Sequence, residues 1–245
     1  MNFGFKKVTK EEKRFSVDQV FSNVANKYDF MNNLMSFGVH GTWKEEFCKM
    51  IPNLDSTILD VAGGTGDIAL KIKSQAKKRN KNPHVIICDI NHDMLKVCQN
   101  KILDNNILDN LDLVVGDAEN LPFIDNSFDY YTIAFGIRNV LSIKKSLEEA
   151  YRVLKPTGKF LCLEFSKVKN KFLKPIYHAY SSNIIPNIGK HIANNRSAYQ
   201  YLIESISVFP NQEDFKRKIL EANFIDVGYR NLTFGVAAIH YGYKI

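Results

Sequence analysis

The chain has 245 residues, 45% of them hydrophobic and 24% charged, which is typical of one large α/β domain or at most two small ones. Its formal net charge is +7, but lysine and arginine are dispersed. We therefore expect no nucleic-acid partner, and a peripheral contact with an anionic membrane surface stays open. No stretch approaches the roughly 18 apolar residues of a membrane span, and residues 1–15 lack a signal-peptide core. The expected location is cytoplasmic, with the inner membrane surface as the site of any peripheral contact.

Cysteine and histidine, the usual ligands of zinc, show no ligand spacing in this sequence. The four cysteines lie in apolar surroundings without a C-x-x-C pair, and the six histidines form no H-x-x-x-H pair. This pattern predicts reduced, structural thiols and no metal site.

About 55 residues precede the first predicted strand. Residues 1–14 are polar and basic and are predicted to form a loose arm. From Ser16 to Met31, apolar residues recur at steps of three and four, which indicates an amphipathic helix. A second apolar segment follows at 34–51, so we expect residues 1–55 to form a helical lid.

Strands and helices then alternate regularly. Apolar runs predict strands at 57–62, 84–90, 111–116, 128–135 and 159–165, and helical patterns lie at 67–79, 91–104 and 142–154. Lys155 to Gly158 is predicted as a turn into the fifth strand. This alternation is typical of a parallel sheet covered on both faces, and so of the α/β class.

The pattern breaks after the fifth strand. Residues 167–210 lack strand periodicity and are predicted as a helical insertion. The last predicted elements are a helix at 212–222 and an antiparallel hairpin of two strands, 224–232 and 235–244. We therefore expect a single domain over 1–245, with its core formed by 56–166 and 211–245.

Residues 56–67 are the most informative stretch, an apolar run that ends in an acid and a cluster of three glycines. Gly63, Gly64 and Gly66 let the backbone turn without a Cβ, so a ligand can lie against the main chain. The helix N-terminus behind them offers unpaired N–H groups. The glycines alone also fit a tight turn in any α/β protein, or the dinucleotide pattern G-x-G-x-x-G/A.

Acidic residues close the next two predicted strands. Asp89 comes 23 residues after Gly66, where a carboxylate can accept both hydroxyls of a ribose; a helix N-cap or an exposed strand end is the alternative. Asp117 and Ala118 close the third strand, where an acid and backbone groups suit an adenine amino group. Because carboxyl ends of parallel strands meet at one edge, these residues and the glycine turn outline one crevice.

The stretch from Asp60 to Gly66, together with the acids after the next two strands, resembles class I S-adenosylmethionine-dependent methyltransferases. That fold is Rossmann-like, a mostly parallel seven-stranded sheet with a C-terminal antiparallel hairpin, and the predicted hairpin fits it better than an NAD-dependent oxidoreductase. Ala62 is a departure, since many such enzymes carry glycine there. Nearly the whole chain is similar to the ubiquinone/menaquinone biosynthesis C-methyltransferase family, in segments such as KYDFMNNLMSFGVHGTWK (27–44), FGIRNV (135–140), YRVLKPTGKFLCLEFS (151–166), SAYQYLIESI (197–206) and NLTFGVAAIHYGYK (231–244).

The resemblance implies S-adenosylmethionine as cofactor and a polyprenylated quinol as substrate: 2-polyprenyl-6-methoxy-1,4-benzoquinol, demethylmenaquinol or both. Ala134 stands where many relatives have serine, so only its backbone could contact the cofactor. The family's cofactor positions fall on Thr65, Asp89, Asp117 and Ala118, and we expect Asp60, Gly63, Gly64 and Gly66 to bind the cofactor with them.

Methyl transfer to a ring carbon needs no metal, but the ring must be made nucleophilic by loss or sharing of a phenolic proton. A phenol pKa near 10 leaves roughly three units to overcome at pH 7, about 4 kcal/mol. We expect Arg138 to stabilise the developing phenolate, Asn139 to orient the hydroxyl or a water, and Tyr28 to position the same water. Asp29 and His40 are weaker candidates for the proton acceptor.

Each assignment has a structural alternative: an ion pair for Arg138, a core position for Tyr28 and a hydrogen-bonded structural histidine for His40. The isoprenoid tail needs an apolar exit, which we expect the lid and the insertion to line, or the same residues are simple core: Phe172, Ile176, Tyr177, Tyr180, Ile184 and Ile185. Other functions stay open: a methyltransferase of another small aromatic acceptor, or a cofactor-binding scaffold in a quinone-biosynthesis complex. A homodimer is expected from the family resemblance alone.

Overall fold

The computed structural model describes residues 1–25, 32–33, 36, 38–107, 109–168 and 196–245. In chain order, the described strands are β1 (Asn2–Phe3), β2 (Lys6–Lys7), β3 (Thr57–Val61), β4 (His84–Asp89), β5 (Leu111–Val115), β6 (Phe128–Ala134), β7 (Leu154–Phe165), β8 (Ile225–Leu232) and β9 (Ala237–Tyr243). Strands β1 and β2 pair with each other, and the other seven described strands form one sheet in the order β5-β4-β3-β6-β7-β9-β8. Strands β3 to β7 are parallel, whereas β9 is antiparallel to both of its neighbours.

The described helices are α1 (Lys10–Val24), α2 (His40–Cys48), α3 (Asp67–Lys77), α4 (His92–Asp104), α5 (Ile143–Val153), α6 (Arg196–Val208) and α7 (Gln212–Glu221), with 3-10 turns at Ile137–Asn139 and Thr233–Gly235. Side chains that accept first-turn N–H groups fix where three of them begin: Asn91 for α4, Ser142 for α5 and Asn211 for α7. None of the described helices combines the length and apolar character needed to cross a membrane.

Helices cover the sheet on both faces. Along β3, Ile58 packs into one apolar layer, while Leu59 and Val61 pack into the layer on the opposite face. The first layer includes Phe47 of α2, Ile72 of α3, Cys98 of α4 and Leu202 of α6, and the second includes Leu147 of α5 and Phe215 of α7. Because side chains alternate along a strand, both faces of β3 are buried, and its carboxyl end opens at the edge of the sheet.

The predicted α/β class, the parallel strands and the terminal antiparallel hairpin are confirmed. Most core strands and helices differ from their predicted bounds by one or two residues. Of the predicted insertion at 167–210, residues 169–195 lie outside the described residues, and α6 follows them.

The prediction was wrong at the N-terminus, where the helix begins at Lys10 and not at Ser16. Thr9 Oγ1 accepts a hydrogen bond from the Glu12 N–H at 3.2 Å, and the Thr9 N–H donates to Glu12 Oε2 at 2.7 Å. This capping box starts a helix whose first turns are polar, which apolar periodicity cannot detect. The predicted loose arm is also partly ordered, because β1 and β2 pair within it.

The predicted turn at Lys155 to Gly158 lies inside β7, so that prediction was wrong as well. The pairing register of β6 and β7 shifts here, and Thr157 adopts a φ of 67°. The Thr157 N–H donates to the carbonyl of Lys244 at 2.9 Å, so the segment stays attached to the sheet. Turn residues here produce an irregularity within a strand and do not end it.

Candidate active site

The chain passes from β3 into α3 through the predicted glycine turn. Gly64 and Gly66 have φ values of 54° and 81°, in the left-handed region that glycine adopts without strain. A Cβ on Gly66 would lie 2.4 Å from Cys98 Sγ, so α4 packs directly against the bare backbone of the turn. The turn therefore brings main chain, rather than side chains, to the carboxyl edge of the sheet.

A cavity of about 510 Å³ lies at this edge. Its wall contains every predicted cofactor residue except Gly66, namely Asp60, Gly63, Gly64, Thr65, Asp89, Asp117, Ala118 and Ala134, and also the predicted catalytic residue Asn139. The structure thus brings together residues from the ends of four neighbouring strands, β3, β4, β5 and β6. The crevice that the sequence predicts exists as a single cavity.

Asp89 is held rigidly at the end of β4. Its Oδ2 accepts the Gly64 N–H at 2.8 Å, and its Oδ1 accepts the Asn91 N–H at 2.8 Å. Burial raises the pKa of this carboxyl, although these backbone hydrogen bonds oppose the shift. The side chain therefore ties the glycine turn to the start of α4 while it faces the cavity.

Asp60 is buried, and only one of its two carboxyl oxygens has a hydrogen-bond partner among the described residues. Its Oδ1 accepts a hydrogen bond from Thr132 Oγ1 at 2.8 Å, but Oδ2 has no hydrogen-bond partner among the described residues. Burial raises the pKa of Asp60 to about 7, against the lowering effect of the Thr132 hydrogen bond. Burying a carboxylate without a partner costs free energy, so a cationic group of a ligand in the cavity would be favoured beside Asp60.

Helix α1 covers the side of the cavity that is formed by the ends of β4 and β5. Arg14 pairs with Oδ2 of Asp117, whose Oδ1 accepts the Glu119 N–H at 2.9 Å. The Nδ2 group of Asn91, the cap of α4, donates to Asp18 Oδ1 at 2.7 Å and also contacts Ser22 Oγ, at 2.9 Å. These contacts join one helix to the ends of both β4 and β5.

Lys44 is, besides Arg14, a second cationic side chain in the cavity wall. Its Nζ donates to Asp67 Oδ2 at 2.5 Å, and Lys101 Nζ donates to Asp67 Oδ1 at 2.9 Å. Lys101 also donates to Thr65 Oγ1 at 3.1 Å. A charged cluster therefore lies where the glycine turn passes into α3.

Arg138 does not line the cavity as the described residues define it. Its side chain is 0% exposed, and Nη1 donates to Glu164 Oε1 and to the Phe135 carbonyl, both at 2.6 Å. Burial raises the pKa of Glu164, although the Arg138 charge opposes this shift. The structural ion pair given above as the alternative for Arg138 is present, so direct contact with a phenolate in this cavity is not supported.

Asn139, the next residue, does face the cavity. Tyr201 Oη donates to its Oδ1 at 3.0 Å, which leaves the amide Nδ2 as the free end of the side chain apart from a 3.4 Å contact with the Phe135 carbonyl. Burial raises the pKa of Tyr201 to about 12, so its hydroxyl stays protonated and keeps this donor role. Asn139 therefore presents an N–H donor to the cavity.

The structure offers less support for the remaining candidate residues. His40 Nε2 contacts Asn33 Oδ1 at 3.1 Å, and burial together with the Lys44 charge lowers the pKa of His40 to about 4, which fits its structural alternative. Tyr28, Asp29 and the predicted tail-lining residues between 172 and 185 lie outside the described residues.

Comparison with known proteins decides the family. The model of the ubiE/COQ5 methyltransferase family matches residues 6–244. The chain belongs to this family. The ubiquinone/menaquinone biosynthesis C-methyltransferases UbiE of Rickettsia bellii and of Rickettsia prowazekii are each 58% identical over 244 residues, which cover 100% of this chain and 98% of either protein.

Solved structures agree with the fold of this methyltransferase. A SAM-dependent methyltransferase from Aquifex aeolicus matches with a TM-score of 0.61 and 19% identity, over 91% of this chain and 98% of that one. The phosphoethanolamine N-methyltransferase 2 of Haemonchus contortus, in complex with S-adenosylmethionine, matches with a TM-score of 0.61 and 17% identity, over 83% of this chain and 52% of that one. At these identities, the likeness concerns the fold.

The cavity of the methyltransferase fits S-adenosylmethionine, which supplies an electrophilic methyl group when bound. The leftover Oδ2 of Asp60 suits an ammonium, and Asp89 and Asp117 offer carboxylates where a ribose and an adenine amine are expected. At Gly64, a Cβ would lie 2.9 Å from Met94 Cε, so the turn can be approached closely only because it lacks side chains. These residues can hold the cofactor.

Four residues that reach this site were not singled out from the sequence: Arg14, Lys44, Asn91 and Tyr201. Lys44 and Tyr201 lie within family-like segments, FGVHGTWK and SAYQYL, so the resemblance carried a signal for them. Arg14 and Asn91 face the site through the packing of α1 on α4, which residue patterns do not reveal.

Proposed function

We propose that this methyltransferase transfers a methyl group from S-adenosylmethionine to a ring carbon of a polyprenylated quinol, 2-polyprenyl-6-methoxy-1,4-benzoquinol, demethylmenaquinol or both. The observation that carries the proposal is the 58% identity over the full chain to enzymes named for ubiquinone and menaquinone biosynthesis. The cavity supports it, because carboxylates for a nucleoside and an amide donor for a ring oxygen share one space.

Asn139 is the residue we propose to act on the ring. As the phenolic proton leaves, negative charge builds on the ring oxygen, and the Asn139 Nδ2–H can donate to it. Removing one such preorganised donor typically costs about 100- to 1,000-fold in rate, which corresponds to roughly 2.7–4 kcal/mol. That contribution is comparable to the roughly 4 kcal/mol needed to ionise a phenol at pH 7.

Tyr201 would act as a positioning residue. Because its hydroxyl occupies Asn139 Oδ1 at 3.0 Å, the amide is kept with Nδ2 available. Arg138, paired with Glu164, would hold the turn that carries Asn139 through its 2.6 Å hydrogen bond to the Phe135 carbonyl. Tyr28 remains our candidate for ordering a water at the same ring oxygen.

The domain boundaries are also proposed. Residues 1–55 would form a lid, as the contacts from α1 to Asn91 and Asp117 support. Residues 167–210 would cover the quinol and its tail, beside a core of 56–166 and 211–245. The exposed Phe5 and Phe15, with nearby lysines at positions 6, 7 and 10, support a peripheral contact with an anionic membrane that holds the substrate.

Methyl transfer from labelled S-adenosylmethionine to two reduced acceptors, one benzoquinol and one demethylmenaquinol, tests the reaction. We expect label in at least one quinol, a fall in kcat of about 100-fold or more for Asn139→Ala, and a fall of about tenfold for Tyr201→Phe. Tyr199→Phe is the matched control on the same helix, since the Tyr199 hydroxyl is buried without a hydrogen-bond partner among the described residues.

Label in neither quinol, despite tight cofactor binding, would refute the proposed substrate class. If Asn139→Ala kept its kcat, the reaction would stand and the role of Asn139 would not; if both tyrosine variants lost activity equally, the positioning role of Tyr201 would be refuted. Arg138→Ala is a weaker test, because it leaves Glu164 buried without its partner and confuses catalysis with folding.

A further inference from the structure

Lys44 is a buried cation in the wall of the cofactor cavity. It projects from α2, its side chain is 4% exposed, and its Nζ lies 2.5 Å from Asp67 Oδ2. Asp67 is the first residue of α3, directly after the glycine turn. The ammonium of Lys44 is therefore held close to the turn along which the cofactor is expected to lie.

A single hydrogen-bond acceptor does not satisfy a buried ammonium group. The group has three N–H donors, and in the described part of the chain only Asp67 accepts from it. An exposed lysine would satisfy the other two donors with water, but a side chain this deeply buried loses most of that hydration. An anionic group inside the cavity would satisfy them.

Asp60, near the end of β3 and just before the glycine turn, shows the opposite imbalance, because one of its oxygens lacks a donor in the described part of the chain. Its Oδ2 has no partner among the described residues, and an ideal Cβ on Gly63 would lie 3.1 Å from that oxygen. Two residues later, Thr65 Oγ1 lies 3.4 Å from Asp67 Oδ1. Two residues of chain span at most about 7 Å, so the anionic and cationic groups flank one short stretch of backbone.

A ligand with adjacent opposite charges matches this arrangement. The methionyl end of S-adenosylmethionine carries an ammonium and a carboxylate on a single carbon, whereas its nucleoside is expected further along the sheet edge, at Asp89 and Asp117. We propose that Lys44 binds the carboxylate of the cofactor's methionyl group, with Asp60 receiving the ammonium. The inference rests on the assignment of S-adenosylmethionine as the cofactor.

Lys101 and Asp67 position this lysine. Lys101 donates to Asp67 at 2.9 Å and to Thr65 at 3.1 Å, so the carboxylate that holds Lys44 is itself fixed to the glycine turn. The competing explanation is that Lys44 only braces Asp67 at the start of α3. A ligand that lacks only the carboxylate separates the two, because bracing affects every ligand and carboxylate binding affects one.

The test is calorimetric titration of the full chain with S-adenosylhomocysteine and with S-adenosyl-3-thiopropylamine, its decarboxylated analogue, which keeps the ammonium. For Lys44→Met, we expect the Kd of S-adenosylhomocysteine to rise about 10- to 100-fold, as for loss of a charge-assisted hydrogen bond. The Kd of the analogue should stay within about twofold. Lys71→Met is the matched control, because Lys71 pairs with Glu45 at 3.6 Å and does not line the cavity defined by the described residues.

Equal weakening of both ligands by Lys44→Met would overturn the proposal in favour of bracing, and unchanged binding of both would overturn it outright. The unmutated protein provides a test that does not depend on folding of a variant: it should bind S-adenosylhomocysteine at least about tenfold more tightly than the analogue. Equal affinities there would also refute the carboxylate contact. If the unmutated protein bound neither ligand, the cofactor assignment itself would fail, which is a distinguishable result.

Discussion

Asp60 gives the cofactor affinity a specific dependence on pH. The carboxyl is buried, Oδ2 has no hydrogen-bond partner among the described residues, and burial raises its pKa to about 7 from 3.8. A ligand ammonium is attracted to the ionised form, so the proton on Asp60 must leave before binding at lower pH. The affinity for S-adenosylhomocysteine should therefore rise with pH through about 7 and level off above it.

The magnitude follows from the fraction of protein with ionised Asp60. With a pKa of about 7, that fraction is about 0.09 at pH 6 and about 0.9 at pH 8, which predicts a tenfold stronger affinity at pH 8. In the ligand-free protein, folding stability depends on pH in the opposite direction to the ligand affinity. Because the folded-state pKa lies above the unfolded value, the contribution of Asp60 to folding stability is greatest at low pH and falls as pH rises through about 7.

Calorimetry at pH 6, 7 and 8 measures this dependence, with 5′-methylthioadenosine as the control ligand. That compound keeps the nucleoside, and so any contribution of Asp89, whose pKa burial also raises, but it has no ammonium for Asp60. The ratio of the two affinities isolates Asp60, since the pKa of His40 is lowered to about 4, outside this range. A ratio that did not change between pH 6 and pH 8, or that changed equally in Asp60→Asn, would refute the reasoning.

Two further substitutions test the contacts that support the site. Glu164→Gln leaves the buried Arg138 without its charged partner and should lower the free energy of unfolding, measured in urea, by about 3 kcal/mol. The control, Glu148→Gln, removes an exposed ion pair of 3.7 Å and should cost less than about 1 kcal/mol, so similar losses in the two variants would contradict the importance of the buried pair. Asp18→Ala removes the 2.7 Å hydrogen bond from the α4 cap to α1 and should speed release of S-adenosylhomocysteine in stopped-flow by about 2- to 10-fold, with the exposed Gln19→Ala as control; unchanged release would show that α1 does not retain the cofactor.

The sheet could be predicted because its signals are local and agree with one another. Strands β3, β4 and β5 are short and mostly apolar, and the glycines and acids at their carboxyl ends mark where they end. Parallel strands then require those ends to share one edge, so the cavity follows from chain order and strand direction. The cofactor residues could be predicted without any knowledge of side-chain packing.

The two errors in the predicted fold have a different origin. The helix start at Lys10 is encoded by Thr9 and Glu12, a capping box that is legible in the sequence, but apolar periodicity begins several residues later. Phe15, within that polar first part, is 67% exposed, so burial does not mark the helix start either. The turn-like segment before Gly158 stays in β7 because distant backbone at Lys244 accepts its N–H, which no local pattern shows.

The side chains of segment 135–140 are the part of the candidate site whose orientation the sequence cannot predict. Arg138 and Asn139 are neighbours in one 3-10 turn, and both are polar residues of the same family-like segment, yet the first points into a buried ion pair and the second into the cavity. Which of them faces the ligand depends on Glu164 and Tyr201, supplied by β7 and α6. Spacing within the segment contains no information about either partner.

This division of roles has a physical reason. A guanidinium that faced the ring directly would need its counter-ion nearby, and a carboxylate beside a developing phenolate would oppose the charge that the enzyme must stabilise. Burying Arg138 against Glu164 at 2.6 Å neutralises the pair away from the cavity and fixes the turn, while the neutral amide of Asn139 offers a donor without a counter-ion. On the proposed role, a neutral donor held by a buried ion pair would stabilise the phenolate without bringing a counter-ion beside it.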